Sequence, residues 1–79
     1  MNVIAVESST LTTIAYDSTG ELLQLEFDSH AFYQYFGVPA TLHAGLMYAP
    51  SKGSYFNLNI RGKFPYRRIS EADVPPGRR

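Results

Sequence analysis

The stretch LTTIAYDSTGELLQLEFDSHAFYQYF, residues 11–36, decides the fold. It holds three apolar runs separated by two short segments rich in Asp, Ser and Gly, residue types that favour turns. In the middle run Leu23, Leu25 and Phe27 alternate with Gln24 and Glu26, which is the period of a strand with one buried face. Three such runs in succession predict an antiparallel meander. The strands are predicted at 11–16, 21–27 and 31–36, with turns at 17–20 and 28–30.

After Phe36 the sequence pattern favours helices over strands. Pro39 suits the first position of a helix, and a second proline, Pro50, ends that helix. Ser51 is a suitable N-cap for a second short helix at 52–61, and Gly62 stands where a left-handed residue would close it. Residues 64–69 are predicted to be extended. Pro65, which has no N–H to donate, restricts that segment to a sheet edge or to a place outside the ladder.

The predicted fold class is therefore α+β. A three-stranded antiparallel meander is followed by two short helices and a final extended or edge strand. The short apolar run at 3–7 is predicted to be either an edge strand or a lead-in to the first strand. The helices are expected to lie on one face of the meander and to cover its apolar side chains. The predicted core consists of Leu23, Leu25 and Phe27 beneath Leu42, Leu46, Phe56 and Ile60.

Length and composition limit the function classes. Seventy-nine residues suffice for one domain, predicted at 1–69, with a flexible C-terminal tail at 70–79. The chain has no cysteine, and 44% of its residues are hydrophobic, so apolar packing is expected to stabilise it. It contains neither an apolar run of about 20 residues nor a signal-like N-terminus, which predicts a cytoplasmic protein with no membrane contact.

Charge is distributed unevenly along the chain. Residues 1–50 contain five acidic residues and no Lys or Arg, whereas residues 51–79 contain seven basic residues and two acidic ones. The formal charges of the two parts are therefore −5 and +5. Such asymmetry is typical of proteins with an anionic partner, although charges on two packed segments can also cancel across a surface.

Aromatic and basic residues are interleaved in the second half of the chain. Basic groups pair with phosphates, and aromatic rings stack on exposed bases. Tyr33 and Tyr35, two residues apart on a predicted strand, share a face and are candidates for stacking. The alternatives are ordinary packing for the tyrosines and a solvated basic face for the cations. The candidate nucleic-acid-binding residues are Tyr33, Tyr35, Lys52, Tyr55, Arg61, Lys63, Tyr66, Arg67 and Arg68.

Catalytic patterns are weak. His30 and His43 are thirteen positions apart, in a predicted turn and a predicted helix, which is not a metal-ligand spacing. The serines have no evident histidine partner, and no close acidic pair is present. The sequence therefore predicts a protein that is not an enzyme, with no metal and no cofactor.

Three segments, taken in order, resemble the KTSC domain family: YQYFGVP at 33–39, APSKGSYFN at 49–57 and IRGKFPYRR at 60–68. The resemblance extends from about Ser8 to Ile69. KTSC domains occur at the C-terminus of certain lysyl-tRNA synthetases and as small free-standing bacterial or phage proteins. The resemblance implies a small domain for which RNA binding has been suggested because of that occurrence. Leu58 and Tyr48 stand where a charged or small residue is expected in relatives.

Two functions follow as hypotheses. The first is a non-enzymatic RNA-binding module that uses the basic and aromatic segment together with Tyr33 and Tyr35. The second is a protein–protein interaction module, such as a small bacterial or phage regulator that docks on a larger enzyme. An exposed Leu58 would favour the second, because apolar and aromatic anchors dominate protein interfaces.

Overall fold

The computed structural model describes residues 1–70. These residues form a five-stranded antiparallel sheet whose strand order follows the chain order, and two helices connect the fourth strand to the fifth. The predicted tail at 70–79 lies outside the described residues, apart from Ser70. The elements are β1 (Asn2–Ala5), β2 (Leu11–Asp17), β3 (Leu22–Phe27), β4 (Phe32–Phe36), α1 (Ala40–Tyr48), α2 (Lys52–Asn59) and β5 (Tyr66–Ile69).

The prediction of an α+β fold with two helices is confirmed, but the three-stranded meander was wrong. β1 pairs antiparallel with β2, so four strands precede the helices, and β5 adds the fifth. β1 is only four residues long, and three of its residues are exposed. An exposed edge strand has no buried face to impose a clear apolar alternation, and its pairing with β2 is a tertiary contact that local pattern does not reveal.

The helices pack on one face of the sheet, as predicted. All seven predicted core residues lie in this layer, five of them buried and Phe27 and Leu42 partly buried. Leu11 and Ile14 of β2 also belong to the core, because the register of β2 against β3 shifts between Leu11 and Thr13. This bulge places two residues of β2 opposite one of β3 and leaves Thr12 exposed.

On the other face of the sheet, hydrogen bonds between polar side chains connect three strands. Gln34 Nε2 donates a hydrogen bond to Gln24 Oε1 at 3.1 Å, and Arg67 Nε donates to Gln34 Oε1 at 3.3 Å. Both glutamines are buried, so these bonds satisfy polar groups that would otherwise be costly to remove from water. The two faces of the sheet thus differ in chemistry: one is apolar and helix-covered, the other contains a polar network.

The predicted N-cap of α2 and the predicted left-handed glycine after it are both present. The Ser51 hydroxyl accepts a hydrogen bond from the Ser54 N–H at 3.3 Å and caps α2. Gly62 adopts φ = 76°, the left-handed conformation that glycine tolerates best, and turns the chain from α2 toward β5. α2 ends at Asn59, two residues before the predicted boundary, because the chain leaves helical geometry at Ile60.

Candidate binding groove

A groove of about 610 Å³ lies between α2 and the β4–β5 edge of the sheet, on the helix-covered face. Its volume is in the range of sites that hold small ligands or single ligand groups. Its walls combine aromatic rings with polar groups at both ends. The lining residues are Thr10, Phe27, Asp28, Ser29, Ala31, Tyr33, Tyr35, Phe56, Asn57, Arg61, Gly62 and Tyr66.

Three tyrosines form the floor and outer wall of the groove. The Tyr66 ring centroid lies 5.4 Å from that of Tyr35 and 5.7 Å from that of Tyr33. Tyr35 is buried against the core, Tyr33 is half-buried, and Tyr66 is 58% exposed. The three rings are therefore increasingly accessible to solvent from the floor of the groove, at Tyr35, to its rim, at Tyr66.

Strand pairing fixes this cluster. Tyr66 lies opposite Tyr35 in the β4–β5 ladder, so the two side chains project from the same face. The Phe36 N–H donates to the Pro65 carbonyl at 2.9 Å and continues the pairing just before β5. Proline is therefore compatible with this position beside the ladder, because the Pro65 carbonyl accepts a hydrogen bond and no N–H is required of the residue.

A guanidinium marks one end of the groove. Arg61 is exposed in the turn after α2, and its Nη1 donates to Asn57 Oδ1 at 3.4 Å. Burial raises the pKa of Tyr35 above its usual value, and the neighbouring Tyr33 and Tyr66 raise it further, whereas Arg61 opposes the shift. The Tyr35 hydroxyl therefore stays protonated near neutral pH, and a positive charge lies close to it.

The opposite end of the groove is formed by the β3–β4 turn. The Asp28 N–H donates to the Thr10 carbonyl at 3.0 Å, and the His30 N–H donates to the Phe27 carbonyl at 2.8 Å. These bonds hold the turn against the start of β2. Asp28 is exposed in this turn and lines the groove.

The structure brings four of the predicted residues together in the groove: Tyr33, Tyr35, Arg61 and Tyr66. Arg68 lies opposite Tyr33 in the β4–β5 ladder and so projects from the same face. It lines a neighbouring shallow depression with His30 and Ala31. Lys63 is exposed in the turn between α2 and β5 and does not line the groove.

Lys52, Tyr55 and Arg67 lie away from the groove. Lys52 Nζ donates to the carbonyls of Met47 and Ala49 at 2.9 and 3.1 Å, which satisfies the C-terminal end of α1. Tyr55 packs across the helix pair toward Gly45, where an added methyl group would overlap its hydroxyl. Arg67 projects from the opposite sheet face, where it bonds to Gln34.

Sequence reasoning missed several lining residues, chiefly Phe27, Asp28, Phe56 and Asn57. Phe27 and Phe56 were assigned to the core, and their rings, 5.5 Å apart, serve both core and groove. Asn57 follows Phe56 on α2 and precedes Arg61 by one helical turn, so the 3.6-residue period could have indicated it. For Asp28 the sequence indicates a turn but no place in a binding site.

The described residues contain no cluster of three or more His, Cys, Asp or Glu side chains that could hold a metal ion. His43 stacks on Tyr16 with ring centroids 4.4 Å apart, while His30 lies in the β3–β4 turn, 3.8 Å from the Glu26 carboxylate. The two histidines therefore have separate structural surroundings. Neither helix within residues 1–70 is long and apolar enough to cross a membrane.

Comparisons with known proteins agree with this fold. Residues 7–64 match the KTSC domain family model. A lysine–tRNA ligase from Trichormus variabilis is 47% identical over 64 residues, which is 81% of this chain and 11% of the ligase. The chain thus spans about a tenth of the length of the ligase it matches. A small protein from Stutzerimonas stutzeri is 39% identical over 57 residues, covering 72% of this chain and 80% of that protein.

A solved structure extends the agreement to three dimensions. The crystal structure of a KTSC domain protein from Yersinia pestis superposes with a TM-score of 0.85 at 39% sequence identity. The alignment covers 87% of this chain and 97% of the Yersinia chain. The sequence match and the structural match describe the same small α+β unit, and this chain belongs to the KTSC domain family.

Proposed function

We propose that the groove binds single-stranded RNA, with a base stacked on Tyr66 and Tyr33 and the backbone phosphates near Arg61 and Arg68. The observation that carries the proposal is the accessible Tyr66 ring beside the Tyr35–Tyr33 pair, with the Arg61 guanidinium at the end of the same groove. Unstacked bases bind to aromatic side chains and arginine planes in many single-strand-binding proteins.

The geometry supports single-stranded over double-stranded nucleic acid. A groove of about 610 Å³ accommodates a splayed-out base and is too small for a duplex. Only part of the basic content of the chain lies at the groove, since Arg67 and Lys52 bond elsewhere. Binding is therefore expected to combine stacking with a few phosphate contacts, without a long electrostatic track.

The family context supports an RNA ligand. The Trichormus variabilis relative is a lysine–tRNA ligase, whose name indicates action on tRNA, and it contains a segment 47% identical to this chain. That segment is 11% of the ligase, so the ligase activity itself is not proposed for this protein. The proposal is a non-enzymatic module that holds RNA.

Fluorescence anisotropy with a labelled single-stranded hexauridylate, at 50 and 200 mM salt, tests the proposal. The wild type is expected to bind at low salt, and Tyr66→Ala to weaken binding, since losing one base–aromatic stack costs about 1–3 kcal/mol. Arg61→Ala is also expected to weaken binding, because it removes the cation that lines the groove. Arg67→Ala is its matched control: each change removes one positive charge, but Arg67 projects from the opposite face. No binding by the folded wild type at low salt would refute the RNA assignment.

A protein partner is the second candidate, supported by two exposed apolar side chains on the helices. Tyr48 at the end of α1 is 88% exposed, and Leu58 on α2 is 73% exposed. Apolar docking depends little on salt, whereas phosphate-driven binding weakens steeply as salt increases. A salt-insensitive complex that Leu58→Ser disrupts and Tyr66→Ala leaves intact would favour this candidate over RNA.

A further inference from the structure

We propose that the sheet face opposite the helices is a docking surface for the segment of this chain that follows Ser70, residues 71–79. This polar face carries the side chains of Gln24, Glu26, Phe32 and Gln34, which alternate with the core residues of β3 and β4. The proposal is independent of RNA binding. It replaces the flexible tail that the sequence predicts with a segment held against the domain.

The burial of the polar face is the first observation. Phe32 is 2% exposed and Glu26 is 4% exposed, and Gln24 and Gln34 are also buried. Both helices pack on the other face, and residues 1–70 form a single sheet. A sheet face with no layer packed on it is ordinarily open to water. Because no helix or second sheet within residues 1–70 covers the polar face, its burial is that of a surface with further chain lying over it.

Strand pairing brings the end of β5 to this surface. Ile69 lies opposite Phe32, Phe32 lies opposite Glu26, and Glu26 lies opposite Thr13, so the four residues form one row across the sheet. Neighbouring strands are about 4.8 Å apart, and the sheet is therefore about 19 Å wide from β5 to β1. Nine residues in an extended polyproline-like conformation span about 28 Å. The segment at 71–79 is thus long enough to cross the whole face.

The composition of the segment favours packing on the face over strand pairing. Its sequence is EADVPPGRR, with Val74, Pro75 and Pro76 at the centre. Proline has no N–H to donate and is not expected to extend the β5 ladder. Extended apolar residues can instead pack on side chains, and Phe32 and Ile69 supply apolar partners where β5 ends.

The charges of the segment complement those of the face. Glu26 is a buried carboxylate that accepts a hydrogen bond from the Thr13 hydroxyl at 3.0 Å and lies 3.8 Å from His30 Nδ1. Nearby cations offset the cost of keeping such a carboxylate out of water. Arg78 and Arg79 give the segment two cations, placed after the apolar residues that would cross β4 and β3.

Nuclear Overhauser effects in the full chain, uniformly labelled with ¹³C and ¹⁵N, test the proposal directly. Contacts are expected between the Val74 methyl protons and the Phe32 ring protons. Random-coil chemical shifts throughout 71–79, without such contacts, would overturn it. A mixed sample of labelled and unlabelled protein separates contacts within one chain from those between chains. Contacts that arise only between chains would assign the polar face to a second copy and would also overturn the proposal.

A soluble gadolinium chelate provides a second measurement, because it enhances the relaxation of protons that it can approach. The enhancement at the Gln34 side-chain amide is expected to be low in the wild type and at least threefold higher in Val74→Asp, in which a carboxylate replaces the apolar anchor. Leu58→Asp is the matched control, since it makes the same kind of change on the exposed surface of α2 and should leave Gln34 protected. Circular dichroism checks that each variant is folded. Unchanged protection of Gln34 in Val74→Asp would show that another element covers the face.

Discussion

The Tyr16 and His43 rings are stacked nearly parallel, with centroids 4.4 Å apart and planes 11° apart, and they join α1 to β2. Burial lowers the pKa of His43 below its usual value of 6.5. The stack thus contains a group that the folded state prefers to keep neutral, and it connects the helix layer to the sheet at the point where α1 begins.

The free energy of unfolding is expected to fall as the pH is lowered from 7 through 6.5. The unfolded chain then binds a proton at His43 that the folded chain resists, so acid favours unfolding until the folded-state pKa is also passed. His43→Gln should reduce this slope, as measured by urea unfolding at pH 7.5, 6.5 and 5.5. Identical slopes in the variant and the wild type would show that His43 does not contribute.

Tyr16→Phe is expected to destabilise the protein by about 1–2 kcal/mol, because the Tyr16 hydroxyl donates to the Val38 carbonyl at 2.6 Å beside a fully buried side chain. Thermal and urea denaturation measure the loss. Tyr48→Phe is the matched control, since the same atom is removed from a side chain that is 88% exposed, and its stability should remain within about 0.5 kcal/mol of wild type.

Gly45→Ala is expected to destabilise the helix pair by about 1–3 kcal/mol, although alanine is the better helix former. The added methyl group would overlap the Tyr55 hydroxyl and ring, which cross α1 at this glycine. Unfolding free energies of the two single variants and the double variant Gly45→Ala/Tyr55→Ala form a thermodynamic cycle. Gly45→Ala should be neutral or stabilising in the Tyr55→Ala background. An equal loss of stability in both backgrounds would show that contact with Tyr55 is not its cause.

Arg61→Ala is expected to reduce the slope of log binding constant against log salt by about 0.7, the contribution of one phosphate contact to a single strand. Titrations of hexauridylate at four salt concentrations give the slope. Arg67→Ala, which acts on the opposite face, should leave the slope near that of wild type. A reversal of this order would place the RNA on the polar face of the sheet.

The central sheet and the core could be predicted because their signals are local. Alternation in β3 and the two turns sufficed to predict the three central strands β2, β3 and β4, and Leu46, Phe56 and Ile60 occupy the buried positions expected of them. The bulge in β2 was not predictable from the pattern. Because of the bulge, the side chain of Leu11 lies on the apolar face and that of Thr12 does not, and only the pairing with β3 reveals this.

The candidate site was harder to predict because it depends on which strand face each residue takes. Arg67 and Arg68 are adjacent in sequence and were grouped as one basic segment, yet strand alternation sends them to opposite faces. Lys52 and Tyr55 carry the residue types expected of a nucleic-acid site, but their partners across α1 and α2 give them structural roles. Residue type alone does not distinguish these cases.

The position of β5 at the edge of the sheet has a consequence for dynamics. A four-residue edge strand is paired on one side only, and such elements open at a lower free energy than the central strands. Because Tyr66 belongs to this strand, each opening of β5 dismantles one wall of the groove. A ligand that contacts both Tyr66 and Arg61 would hold the strand closed, so amide hydrogen exchange at 66–69 should slow on binding while exchange in β2 and β3 stays unchanged.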